Sequence, residues 1–117
     1  MLRRRSVVMG SLAGAAAGIW RDGLAETADL KIGNTMPYSG PASAYAAIGH
    51  FESAYFNMVN ERGGIGGRRI AFLTYDDSLS PPKTVEEVRR LVEQDQVDFL
   101  FNTLGTPTNS AVVRGTL

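Results

Sequence analysis

The sequence predicts an α/β fold of the Rossmann-like, three-layer kind, a parallel sheet covered by helices on both faces. Three observations carry it. Short apolar runs alternate with segments of helical period in the order β-α-β-α-β, followed by the start of a third helix. The switches between them are marked by Gly, Pro, Ser and Thr, and the composition, 44% hydrophobic and 21% charged over 117 residues, is that of an ordinary folded protein. Strands alternating with helices this tightly imply parallel pairing through right-handed crossovers.

The first strand is Leu30-Lys31-Ile32-Gly33-Asn34-Thr35-Met36, partly alternating and stopped by Pro37 and the turn formers Ser39-Gly40-Pro41. From Ser43 the period changes. Ile48, Phe51, Tyr55, Met58, Val59 and Arg62 fall three and four apart, which predicts a helix with these residues on one face, ended by Gly63 and Gly64. Gly63-Gly64-Ile65-Gly66-Gly67 runs from helix into strand. A dinucleotide-binding fingerprint runs the other way, so these glycines mark a helix stop and a tight turn.

Ile70 to Tyr75 is the second strand. Ser80 before Pro81 and Pro82 is a predicted helix cap, Val85, Val88, Leu91 and Val92 make the apolar stripe, and Glu86 stands four residues before Arg90 to support the same helix. Val97 to Phe101 is the third strand, apolar enough after Asp98 for burial on both faces. Gly105-Thr106-Pro107-Thr108 opens the last helix.

Composition excludes several functions. The chain has no Cys, hence no disulfide scaffold, thiolate zinc site, cysteine nucleophile or acylated cysteine anchor. Twelve basic residues balance twelve acidic ones, which is not the signature of a nucleic-acid partner. The balance is uneven along the chain: the first 25 residues carry a net +3 and the remaining 92 a net −3. Arg3 to Arg5, the apolar run Val7 to Trp20 and the small residues Gly23-Leu24-Ala25 form the three parts of an export signal over residues 1–25. An interior helix of a cytosolic protein is the alternative. The run is shorter than the roughly 20 residues a membrane-spanning helix needs. Arg4-Arg5-Ser6-Val7-Val8 resembles a twin-arginine signal, although a general secretory signal needs only the charge. Both routes lead to the periplasm.

In an open parallel sheet of order 2-1-3, ligands bind beyond the carboxyl ends of the strands, where the loops after strands one and three lie side by side. Those loops are 37–43, with Ser39 and Gly40, and 103–108, with Thr103, Leu104, Gly105 and Thr106. Neither holds Lys, Arg, His, Asp or Glu. They suit a carboxylate held by amides and hydroxyls, and they lack a base and nucleophile pair. The alternative is that they cap helices and do nothing more. Asp76-Asp77 is expected to be a solvated turn; a metal held by its oxygens would need a third ligand. His50 is expected at the surface, with no partner along its helix.

Leu30 to Met36, Ser39-Gly40-Pro41 with Tyr45 four residues on, Asn60 to Arg68 around the double glycine, Tyr75-Asp76-Asp77 and Pro82-Lys83 resemble the amino-terminal lobe of type I periplasmic solute-binding proteins. The likeness is to the leucine/isoleucine/valine-binding type, the receptors of branched-chain amino acid ABC transporters. It implies two α/β lobes closing on a ligand, of which residues 26–117 are a truncated part of the first. It also implies that Tyr45 packs on the ligand and that the Thr103 to Thr106 segment presents amides to its carboxylate. Where that family commonly has a Ser-rich run, this chain has Leu104-Gly105-Thr106-Pro107-Thr108. The ligand therefore stays open among branched-chain and other amino acids, amides and small aromatic or aliphatic acids. The implied partners are this amino-acid-like solute and an inner-membrane ABC permease, with no cofactor, no metal and no enzymatic activity. Two other classes remain: an exported sensor ectodomain, and an exported enzyme using a metal at Asp76 and Asp77.

Two expectations follow for residues 26–117 alone. With one lobe, solute binding should be no tighter than about millimolar. Phe99, Leu100 and Phe101 should lie on an open sheet edge, which would make the product aggregation-prone or molten until the missing lobe is restored. For export, amino-terminal sequencing of periplasmic material should begin at Glu26; retention of Met1 would refute cleavage after Ala25.

Overall fold

The structure, a computed structural model, describes residues 28–116; the predicted export signal, residues 1–25, lies outside the described residues. Strand β1 (Leu30–Met36) leads through a 3-10 turn (Ser43–Tyr45) into helix α1 (Ala46–Glu61). Strand β2 (Ile70–Asp76), helix α2 (Pro81–Arg89) with a π-helical turn (Arg90–Gln94), strand β3 (Phe99–Leu100) and helix α3 (Thr106–Thr116) follow. All pairing within the sheet is parallel, and the order is β2-β1-β3, as predicted.

Successive strand residues point to opposite faces, and β1 shows what each face meets. Asn34 reaches Glu52 of α1, while a Cβ on neighbouring Gly33 would lie 2.9 Å from Leu91 Cδ2. Helix α1 therefore covers one face and α2, with its π turn, the other. The core is Ile32, Met36, Ile70, Val88 and Leu91, each at most 3% exposed.

The rotation of α1 differs from the predicted one. Phe51, Tyr55 and Met58 of the apolar stripe are exposed, Phe51 at 73%, and the residues turned inward are Gly49 and Glu52. Close contacts set this rotation. A Cβ on Gly49 would lie 2.2 Å from the Tyr38 hydroxyl, Phe56 packs at an angle against Phe72 and edge-on to Phe101, and the Asn60 side chain bonds both the N–H and the carbonyl of Ile70.

Three further departures have local causes. The third strand pairs over Phe99–Leu100 rather than Val97–Phe101. At its start the Val97 amide donates to Leu91 O and the Asp98 carboxylate accepts the Lys31 amide, and after Phe101 the chain turns at Asn102, φ +55°. Phe99, Leu100 and Phe101 lie exposed on the sheet edge, as expected for residues 26–117 alone, and are not covered on both faces. Ser80 occupies the cap position of α2, but its side chain makes no capping bond. Asp77 instead braces the turn that leads into the helix: its carboxylate accepts the Leu79 amide and the Thr84 hydroxyl. Finally, the π turn winds more residues per turn and swings Val92 out of the stripe to 52% exposure. Arg90 pairs with Glu87 at 3.6 Å instead of Glu86, and lies 4.2 Å over the Tyr75 ring.

The glycine run behaves as expected. Gly63, Gly64, Gly66 and Gly67 all have positive φ, and Ile65 and Arg68 bridge across the turn.

The Gly33 contact gives a test. Gly33→Ala should destabilise the chain by about 1–2 kcal/mol, overpacking against Leu91 outweighing the relief of removing a strand glycine. Adding Leu91→Ala should cost less than the sum of the two single changes, because the methyl fills part of the space. Urea midpoints for the three variants check this, and strict additivity would refute the contact.

Candidate functional site

The carboxyl end of the sheet is organised around one carboxylate. Asp76, the last residue of β2, accepts the amides of Tyr38 (2.9 Å), Ser39 (3.1 Å) and Ser78 (3.0 Å) and the Ser39 hydroxyl (2.5 Å), with Lys83 Nζ at 4.0 Å. Burial alone would raise its pKa, but the Ser39 hydroxyl, the Ser78 and Ser39 amides and the Lys83 charge outweigh it and hold the carboxyl below its ordinary value. The expected solvated turn is thus a structural knot. Asp77 beside it is fully buried, and Ser78 and Leu79 take left-handed φ of +50° and +56°, held there by their amide bonds to Asp76 and Asp77.

The sequence-predicted residues divide around this knot. Ser39 gives its amide and hydroxyl to Asp76 and also meets the Ser78 hydroxyl at 2.7 Å. A Cβ on Gly40, φ +86°, would touch Ser78, and one on Gly105, φ +105°, would lie 2.8 Å from Leu79 Cδ1. The loops after β1 and β3 therefore both rest on the Ser78-Leu79 turn, which sequence reasoning did not single out. Tyr45 is 55% exposed on the 3-10 turn before α1. Behind it, Tyr38 bonds Thr74 at 2.6 Å and its ring lies 5.2 Å from that of His50, which is exposed as expected. Burial is the main cause of the raised Tyr38 pKa.

The Thr103 to Thr106 loop has an asymmetric hydrogen-bond pattern. Its carbonyls face the first turn of α3. Asn109 Nδ2 donates to Thr103 O (3.0 Å), and the buried Thr108 hydroxyl lies 2.6 Å from Leu104 O and 2.8 Å from Gly105 O. The Thr103 hydroxyl is also used internally, donating to Asn109 Oδ1 at 2.7 Å. Among the described residues, the backbone N–H groups of Thr103, Leu104, Gly105 and Thr106 have no hydrogen-bond partner. Free amides at the start of a helix, with their carbonyls turned away, make a place for a negative charge.

Residues 29–115 match the family model described as periplasmic binding protein. The chain belongs to the periplasmic binding protein family. Its relatives include the Leu/Ile/Val-binding protein homolog 1 of Brucella abortus, 34% identical over 88 residues, which are 74% of this chain and 24% of that protein. A substrate-binding periplasmic protein from Ralstonia solanacearum superimposes with a TM-score of 0.69 at 30% identity, covering 74% of this chain and 25% of the other. A solute-binding protein of an ABC transporter from R. palustris, in complex with benzoate, does so with a TM-score of 0.59 at 32% identity, over 74% and 24%. The chain spans about a quarter of the length of these relatives. Its βαβαβα order is that of a type I periplasmic binding protein, and the loops described above stand at the carboxyl ends of its strands.

The lowered Asp76 pKa fixes the sign of a pH effect. A carboxyl with a depressed folded-state pKa adds stability above its unfolded value, about 3.9, that is lost as pH falls through the folded value. Asp76→Ala should therefore cost about 1–3 kcal/mol at neutral pH. Below about pH 3 the difference from the parent should shrink. Denaturant titrations at the two pH values check this, and a pH-independent difference would refute the assignment.

Proposed function

We propose that this chain is part of the periplasmic substrate-binding component of an ABC transporter for branched-chain amino acids or similar small amino-acid-like solutes, working with an inner-membrane permease. The observation that carries the reading is the Thr103 to Thr106 loop, with its amides free and its carbonyls engaged. Leucine and benzoate have a carboxylate in common, and a carboxylate is what such amides select. The names of the Brucella abortus and R. palustris relatives point to the same chemistry. In this reading Tyr45 supplies an exposed ring for the apolar part of the solute, and Ser39 and Gly40 shape the opposite rim. The Ser39 hydroxyl, bonded to Asp76, acts through the loop it holds.

Neither loop carries Lys, Arg, His, Asp or Glu, which supports the reading of a site that retains a solute without transforming it. Contacts from these two loops by themselves support an affinity near millimolar.

Amide chemical shifts, followed by NMR, test the reading. Millimolar leucine and benzoate should move the Thr103, Leu104, Gly105 and Thr106 resonances, and leucinamide, which lacks the carboxylate, should not. Equal shifts with leucinamide, or none with any of the three, would refute it.

A further inference from the structure

Glu52 is a carboxylate buried in α1, 7% exposed, and none of the site residues above explains it. Among the described residues it has no ion-pair partner. Burying such a group without a cation costs stability unless hydrogen bonds replace its water. Two side-chain amides do so. Asn34 Nδ2, in the fully buried centre of β1, donates to Glu52 Oε2 at 2.9 Å, and Asn102 Nδ2 donates to Oε1. Asn102 is the residue before Thr103, and its left-handed backbone turns the chain from β3 into the loop. Glu52 also lies about two helical turns beyond Tyr45 on the same segment. One carboxylate thus ties the segment that carries Tyr45 to the residue that launches the amide loop.

We propose that Glu52 is a positioning residue for the candidate ligand site. By clasping Asn102 it sets where the Thr103 to Thr106 amides point and how far they stand from Tyr45. The claim rests on the proposed carboxylate site for its effect on affinity, but its effect on the loop can be read without any ligand. Asn34 serves Oε2 from within the sheet. The donor to Oε1 is a loop residue 50 positions away, so satisfying the buried carboxylate also fixes the exit of β3.

Asn102→Gly, Glu52→Gln and Glu52→Ala in the full chain test this, with leucine as the probe. Asn102→Gly keeps the left-handed backbone free of strain and removes only the clasp, so the chain should still fold. The Leu104 and Gly105 amide resonances should shift, and leucine should bind roughly tenfold more weakly, the equivalent of losing one hydrogen bond to a charged group. Glu52→Ala should reproduce both effects, and combining it with Asn102→Gly should add nothing further. Glu52→Gln should restore the parent values: Gln Oε1 still accepts from Asn102, and Asn34 can turn its amide to offer Oδ1, a buried atom with no partner in the parent, to Gln Nε2.

Unmoved Leu104 and Gly105 resonances in Asn102→Gly would overturn the proposal. So would additive effects in the double variant, or a Gln variant as perturbed as the Ala variant. Should Glu52→Ala not fold, Asn102→Gly decides. If leucine fails to bind the parent chain, the solute reading falls, and the ligand-free resonances still judge the clasp.

Discussion

The structure depends on the burial of β1. From Ile32 to Pro37 every residue is buried, with strands on both sides and helices on both faces, so each other element is placed by what it can put against this strand. On one face Gly33 leaves room for Leu91, which sets the depth of α2 and its π turn. On the other, Asn34 and Ile32 present a mixed polar and apolar surface, and α1 answers with Glu52 and Phe56 rather than with its most apolar side. A central strand that carries an asparagine and a threonine at zero exposure restricts its neighbours more sharply than an all-aliphatic one, because polar groups accept only partners of the right geometry.

That constraint explains which features could be read from the sequence. Element order, sheet order and the two facing loops follow from periodicity and crossover handedness, which are local properties or general rules of parallel sheets. The rotation of α1 was hidden because Gly49, Glu52 and Asn60, which dock it, carry no apolar signal, while Phe51, Tyr55 and Met58 carry a strong one and remain outside. The short third strand was hidden for a similar reason, since its limits are set by the Asp98 side chain and by the backbone of Asn102. At the site, the loop positions were legible. The Asp76 knot was not, because its donors Tyr38 and Ser39 lie almost forty residues earlier in the chain. An Asp beside a strand end looks the same in sequence whether water or a distant loop fills its oxygens.

The two carboxylates divide the work of holding the loops. Asp76 ties the first loop to the turn after β2, and Glu52 ties α1 to the exit of β3. Each replaces water with two or more donors, which favours one arrangement over its near neighbours. Preorganisation of this kind lowers the ordering cost a ligand would otherwise meet.

The side chain of Asn60 has a consequence for the sheet as a whole. By accepting from Ile70 N–H (2.7 Å) and donating to Ile70 O (2.8 Å), it occupies both backbone groups that Ile70 turns away from β1, as the peptide of an adjoining strand would. The outer side of β2 therefore begins with a plug. Among the described residues no side chain bonds the outer backbone groups of β3, and Phe99 to Phe101 are exposed there instead. A strand arriving from anywhere, in this chain or another, meets a flank whose first position is already filled on one side and a receptive one on the other. A single asparagine thus tilts further pairing toward the β3 side.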